Sequence, residues 1–435
     1  MKKFVFKLRF PKEWGLEPVP KEGKTLRGID IFVLWLSQGI GLLVIQAGAF
    51  LTLPPNLGGF GFSAKTAFLI CLLGSILGSV VLSLGGVIGS KHGVTSMVSL
   101  RPAFGLLGSY LLSLVNVALC IGWTTFEIVI MGQAATSLSG SFLGSATKYF
   151  WFVLFAIFAY IMASSGPLTV VRQWLEKFAI WLALLGAILI TYSLSSHVAS
   201  VPAMNSMSDS SNLRSILLSL DLVIAQPVSW LPLISDYNRF ARSESESFWG
   251  TFLGYTVANT WFYFIGALLA VSYPEQIITY SMVLLPLGFL GLLLILADEP
   301  DNAFADVYSA SLSIQNIFPR LSQRKSALAI TISSLLAACF IPIVRYENFL
   351  LLIGAAFVPV FGVMFSDFFV KHHANYTDRQ LYPPSSNLRW QAVVSWIIGF
   401  MSYFYFSYVN TIFGATLPSL IISFVLYSVL STVKS

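Results

Sequence analysis

A chain of 435 residues that is 56% hydrophobic and only 10% charged, with a mean hydropathy of +0.78, cannot cover itself with a water-facing surface. Soluble domains carry about 25% charged residues, so a soluble globular protein is excluded and an all-α polytopic membrane protein is expected. The three cysteines, Cys71, Cys120 and Cys339, each sit in an apolar stretch without paired spacing, which argues against a disulfide framework or a metal motif. The opening "MKKFVFKLRFPKEWGLEPVPKEGKTLRG" lacks a signal peptide's apolar core and cleavage site, so the first hydrophobic segment is expected to stay as a span.

Segments of spanning length fall at 29–53, 64–89, 104–138, 149–166, 173–196, 214–237, 247–273, 281–314, 327–344, 347–371, 390–410 and 412–433. The third and eighth are long and less purely apolar, as expected of helices that line a cavity. With residues 1–28 as a cytoplasmic segment, all but four of the 25 Lys and Arg fall on the inner side. The outer segments hold only Lys65, Lys148, Arg214 and Arg345. This asymmetry predicts a multi-pass protein with both termini in the cytoplasm. It also accounts for the net charge of +6, which is therefore no sign of nucleic-acid binding.

Two spans are interrupted near their middles. The first holds "WLSQGIGLL", with Gly39 and Gly41 around Ile40; the sixth holds "IAQPVSWLPLISDYNRF", with Pro227 and Pro232. They occupy corresponding places in two halves of five helices each, 29–196 and 214–371, followed by two further helices at 390–433. Matched broken helices predict an inverted-repeat transporter with its site at the midplane.

The third span carries a single acid, Glu127, one turn after Trp123 in "CIGWTTFEIVIMGQ". An aromatic face beside a carboxylate suits a flat heterocycle, which would stack on the ring and donate at its edge. The eighth span carries four acids in "ILADEPDNAFADVYS": Asp298, Glu299, Asp301 and Asp306. An acid at a helix centre costs roughly 2.5–3.5 kcal/mol on insertion scales. The run is therefore a cytoplasmic loop, a wet helix end, or the lining of a polar cavity. A loop fails, because helix-like sequence continues to "SIQNIFP". Asp298, Asn302 and Asp306 share one helical face by spacing, and Pro300 frees a carbonyl beside the acids, which with them makes an oxygen set for a hard cation. Asp298 and Glu299 are left between extra cation attraction and a wet vestibule.

Gln226, before Pro227, is a candidate amide contact to a heterocycle, and Asp221 is either a helix-end polar residue or functional. Asp236, Asp367, Arg239 and Lys371 lie at cytoplasmic ends and are expected to form gate or structural salt bridges. His92, His197, His372 and His373 fall in loops without a metal partner at usable spacing. Nucleophile, phosphate-loop, dinucleotide and zinc motifs are all missing from the sequence, which argues against an enzyme or an ATP-driven pump.

The landmarks "MVSLRPAFGLLGSY" (97–110), "IGWTTFE" (121–127), "SWLPLISDYNRF" (229–240), "NAFADVYSASLSIQNIFP" (302–319) and "VPVFGVMFSDFFVK" (358–371) together resemble the nucleobase–cation symporter-1 family. That family comprises permeases for cytosine, purines, hydantoins, allantoin and thiamine-pyrimidine precursors, and the chain looks most like its cytosine and hydroxymethylpyrimidine branch. The resemblance implies the five-plus-five repeat with two extra C-terminal helices. It also implies a secondary-active symporter for an amino-substituted pyrimidine or purine, with no cofactor beyond a coupling ion. By the same resemblance, Trp123 stacks on substrate, and Glu127, Gln226, Asn302 and Asp306 bond its edge, with Gly41 at the first-helix break. Pro227 stands where a second stacking ring is expected, which leaves Trp230 as the candidate. The family's sodium site maps onto carbonyls of Ser37, Ile40 and Ala297 and onto Pro300 and Asp301. Neither of the last two has the expected hydroxyl, so sodium and proton both stand as the coupling ion. The expected setting is the plasma membrane and the expected working unit a monomer. The alternatives are an amino-acid symporter of the same fold, which the acids disfavour, and a substrate sensor without transport.

Overall fold

The computed structural model describes residues 14–198, 213–343, 346–409 and 414–432. Lys2, Lys3, Lys7, Arg9, Lys12, Arg345 and Lys434, used above for orientation, lie outside the described residues, as do both ends of the twelfth predicted span. Each of the twelve predicted segments holds a helix. Eight of the described helices are long and apolar enough to cross a membrane, or nine if the bent first pair is one span. Among the described residues the only β pairing is a single bridge between Leu26 and Ala241.

The first span is two helices, α1 (Gly28–Gly39) and α2 (Leu42–Ala49), bent by 54°. Ile40 and Gly41 between them are extended, with φ of −82° and −173°. The second span is α3 (Ala64–His92), started by Ser63, whose hydroxyl accepts the Thr66 N–H at 3.3 Å. Then come α4 (Arg101–Ser139), α5 (Thr147–Ser165) and α6 (Ile180–Val198). The second half opens with α7 (Leu213–Ser229) and α8 (Leu231–Asn238), parted at Trp230, and continues with α9 (Glu244–Ser272). Ser243 caps α9 through the Glu246 N–H, with Glu244 and Glu246 in the first turn where the helix dipole favours acids.

The eighth predicted span is corrected. It is three pieces, α10 (Ile278–Leu284), α11 (Gly288–Leu296) and α12 (Pro300–Ile317), with a turn at 297–299 directly before Pro300. Proline sits at the first helical position, where its missing N–H costs nothing. The chain ends with α13 (Gln323–Ala338), α14 (Tyr346–Phe365), α15 (Trp390–Phe404) and α16 (Thr416–Leu430). The last two pack on α14, while α9 braces α1, α2 and α3, and α12 lies along α4.

The α2–α9 seam is backbone on backbone. A Cβ on Gly48 would collide with the Tyr263 carbonyl, and one on Gly266 with the Ile45 carbonyl. Gly266→Ala is therefore expected to cost about 1–3 kcal/mol, read as a lower thermal unfolding midpoint of the purified protein. An unchanged midpoint would show slack in the seam.

Near the end of the tenth predicted span, Asp367 accepts from Tyr427 of α16 at 2.6 Å and from Tyr376 at 2.9 Å, with Lys371 Nζ at 3.6 Å and His372 Nδ1 at 3.3 Å. This is the structural salt bridge expected of Asp367 and Lys371. The bond to Asp367 holds the His372 imidazole above its ordinary value. A raised folded value means that the pairing stabilises fully below about pH 6.5 and is lost as pH rises through the folded value. The gap in unfolding midpoint between the parent and His372→Gln should thus be widest on the acid side and shrink as pH rises; a gap independent of pH would contradict this.

Candidate functional site

Helix α4 brings Trp123 and Glu127 to one face, a turn apart, and both are buried. The α1–α2 break brings Gly41, the α7–α8 junction brings Gln226 and Trp230, and α12 brings Asn302 and Asp306. All seven predicted substrate residues line one cavity. Gln38, Leu43, Val44, Ser229 and Leu233 complete its wall and were not singled out by sequence. Gln38 carried a usable signal, a bare amide beside the glycine break. The cavity is about 10 Å3, room for about one water, so the structure is closed around it. Trp123 is held edge-on by Tyr346 and Phe349, with centroids at 5.9 and 5.6 Å.

The polar atoms that converge here are mostly acceptors. Glu127 Oε2, Gln226 Oε1, Asn302 Oδ1 and Gln38 Oε1 are buried without a partner. A buried unpaired polar atom costs about 1–3 kcal/mol. Four at one place ask for a ligand that donates.

Next to this cavity, the turn before Pro300 faces the first-helix break. The Ser37 hydroxyl lies 3.0 Å from both oxygens of Asp298 and 2.8 Å from Asp301 Oδ2. Gln38 Nε2 donates to the same Asp301 oxygen at 2.7 Å. Asp298, Glu299 and Asp301 are fully buried, which excludes a wet helix end or vestibule for them. Nor does Asp298 share the cavity face with Asn302 and Asp306: the turn at 297–299 swings it onto Ser37. Glu299 Oε1 accepts the Leu42 N–H at 2.8 Å and so pins the start of α2. Asn302 Nδ2 donates to the Ile40 carbonyl at 3.0 Å, and the Ser37 carbonyl accepts the Ile40 N–H at 2.9 Å. Ala297 and Pro300 stand at the two ends of that turn.

One hydroxyl has one proton to give, yet Ser37 faces three carboxylate oxygens. No ion pair among the described residues reaches Glu127, Asp298, Glu299, Asp301 or Asp306. Buried carboxyls without basic partners either take up protons and become neutral or share a cation. The oxygen-only donor set, with Asp301 Oδ1 unpartnered, suits a hard cation or a proton.

The remaining polar candidates have other roles. Both oxygens of Asp221 accept backbone N–H groups, from Ala415 and Thr416 at 2.9 Å each. Neither Asp236 nor Arg239 forms a salt bridge among the described residues, contrary to the expectation for both. Asp236 accepts from Ser96 N at 2.9 Å and Ser309 Oγ at 2.6 Å; Arg239 donates to Tyr308 OH at 2.9 Å and to the carbonyls of Trp14 and Gly15. With Tyr237 OH on the Ala305 carbonyl at 2.7 Å, these bonds lock α8 to α12.

Comparison with known proteins decides what this arrangement belongs to. The family described as "Permease for cytosine/purines, uracil, thiamine, allantoin" matches residues 18–426. The chain is a member of that permease family. It is a multi-pass membrane transporter and not an enzyme. It is 24% identical to the cytosine permease of Escherichia coli K12 over 389 residues, 84% of this chain and 85% of that one. The fold is that of Mhp1, a nucleobase-cation-symport-1 transporter solved closed with bromovinylhydantoin bound. The TM-score is 0.79 at 17% identity, over 97% of this chain and 95% of that one. The inward-facing form of Mhp1 matches with a TM-score of 0.76 at 16% identity, over 98% and 96%.

Glu299 provides a test of the clamp on α2. Glu299→Gln keeps an acceptor for the Leu42 N–H, whereas Glu299→Leu leaves it orphaned. The leucine variant should unfold at a midpoint lower by the equivalent of about 1–3 kcal/mol, and the glutamine variant should not; equal losses would contradict the clamp.

Proposed function

We propose that this permease imports an amino-substituted pyrimidine or purine, such as cytosine or a hydroxymethylpyrimidine, together with sodium or a proton. The observation that carries the reading is the set of unpartnered buried acceptors gathered beside Trp123. A planar ring with an amino group next to a ring N–H offers a π-face to the indole and donors to Glu127, Gln226 and Asp306. An amino-acid substrate would bring its own carboxylate against Glu127 and Asp306, which like charge disfavours.

Ion and substrate are linked by shared side chains. Gln38 lines the substrate cavity and also holds Asp301; Asn302 lines the cavity and also holds the Ile40 carbonyl. Positive charge among Ser37, Asp298 and Asp301 fixes the α1–α2 break in the form that the ring needs, so each ligand favours the conformation that suits the other. Movement of one helix bundle past the other would then open the site to either side in turn. The reading places both termini in the cytoplasm, the protein in the plasma membrane and the working unit as a monomer.

Proteoliposomes should accumulate labelled cytosine or hydroxymethylpyrimidine under a sodium or a proton gradient, and no accumulation of either under both gradients would refute the reading. Glu127→Gln removes a charge-assisted bond and should weaken cytosine binding by about 10- to 100-fold. Asp301→Ala should abolish ion dependence and leave weak substrate binding; retained ion dependence would remove Asp301 from the ion site.

A further inference from the structure

A second cavity, of about 260 Å3, lies beyond the first. The two run end to end along the same helices. On α2, Leu43 and Val44 face the substrate cavity while Ala47 faces the second; on α7, Gln226 and Ser229 face the first while Leu222 and Ala225 face the second. Tyr346 stands between them, touching Trp123 on one side and lining the second cavity on the other. The second cavity reaches Phe50, at the end of the first span, and Gly58 and Phe60 in the segment after it, which the Lys and Arg asymmetry puts outside. It is thus the outer approach to the site, on the side opposite the α8–α12 lock.

Its wall is built for a ring rather than for a lipid tail. Phe50, Phe60, Tyr346, Tyr403 and Phe406 supply aromatic faces. Tyr346 OH, on a side chain 3% exposed, and Ser407 Oγ are buried without a partner. Asp221 gives one hydrogen bond's worth of each oxygen to α16 and keeps a lone pair on each. Gly414 makes this possible, since a Cβ there would strike the Asp221 side chain.

We propose that this cavity is a second binding site, an outer station that holds the same class of amino-heterocycle before Tyr346 moves aside to admit it. The ring packs among Tyr403, Phe406 and Phe60, and its N–H groups meet Asp221, Ser407 and the Tyr346 hydroxyl. The inference rests on the proposed substrate class.

The test uses Leu218→Cys in a Cys339→Ser background, where the remaining Cys71 and Cys120 are buried, with Ala225→Cys as a second reporter should the first fail to fold. A small membrane-impermeant thiol reagent is applied from outside in the presence of cytosine, and labelled cytosine binding is measured in parallel. Cytosine at about ten times its dissociation constant should slow modification about tenfold. Glu127→Gln, which weakens the inner site, should leave the half-protecting concentration unchanged. Absent protection, or protection whose midpoint shifts with Glu127→Gln, overturns the outer station while binding at the inner site leaves the proposed function standing. Loss of all saturable cytosine binding in the parent overturns both.

Discussion

Five carboxyl groups, on Glu127, Asp298, Glu299, Asp301 and Asp306, are buried inside a membrane protein with no ion pair to a basic side chain among the described residues. Such a cluster cannot persist as bare charge in a low-dielectric interior, where even one unpaired ion costs several kcal/mol. For the fold to close, the carboxyls must be protonated or share a cation, and that constraint shapes their surroundings. It explains why the first helix is broken beside the turn at 297–299, and why serine, glutamine and asparagine side chains fill the space between. The acids in turn hold the break: Glu299 fastens the first N–H of α2, and Asn302 holds the carbonyl of Ile40.

Coupling follows from the economy of that arrangement. Gln38 and Asn302 stand at once in the substrate cavity and in the hydrogen-bond set beside the acids. In the proposed reading, a change of charge among Asp298 and Asp301 would move groups that a bound ring touches, without any relay across the protein. The surroundings divide the labour. At one end of the substrate cavity, Asp236 and Arg239 fasten α8 through separate hydrogen bonds, and at the other Tyr346 touches Trp123 and lines the second cavity. A structure closed at the centre, bonded shut below and hollow above is one stage of an alternating cycle.

Sequence alone revealed the elements whose cause is local. Gly39 and Gly41 mark the first break, because they flank a single residue at a place matched by Pro227 and Pro232 in the sixth span. Trp123 and Glu127 are four apart on one helix, so their common face needs no tertiary knowledge. The eighth span was drawn too long and too straight, because the apolar run 281–296 merges by composition with the polar helix after Pro300. With a continuous helix, Asp298 would face substrate with Asn302 and Asp306; the turn before Pro300 sends it to Ser37 instead. The bonds of Glu299 to α2 and of Asp221 to α16 join residues about 200 or more positions apart, which no local pattern encodes. Tyr346 was missed for the same reason, since its role comes from the neighbours it separates.

The account turns on linkage between the acids and the substrate cavity through Gln38 and Asn302. It is tested most directly by calorimetric titration of cytosine into the purified protein across a series of sodium concentrations at several fixed pH values. One of the two ions should tighten cytosine binding by about 5- to 150-fold between its lowest and saturating levels, the usual range of coupling between sites. An affinity that stays constant across both series would contradict the claim that ion and substrate are linked through shared side chains.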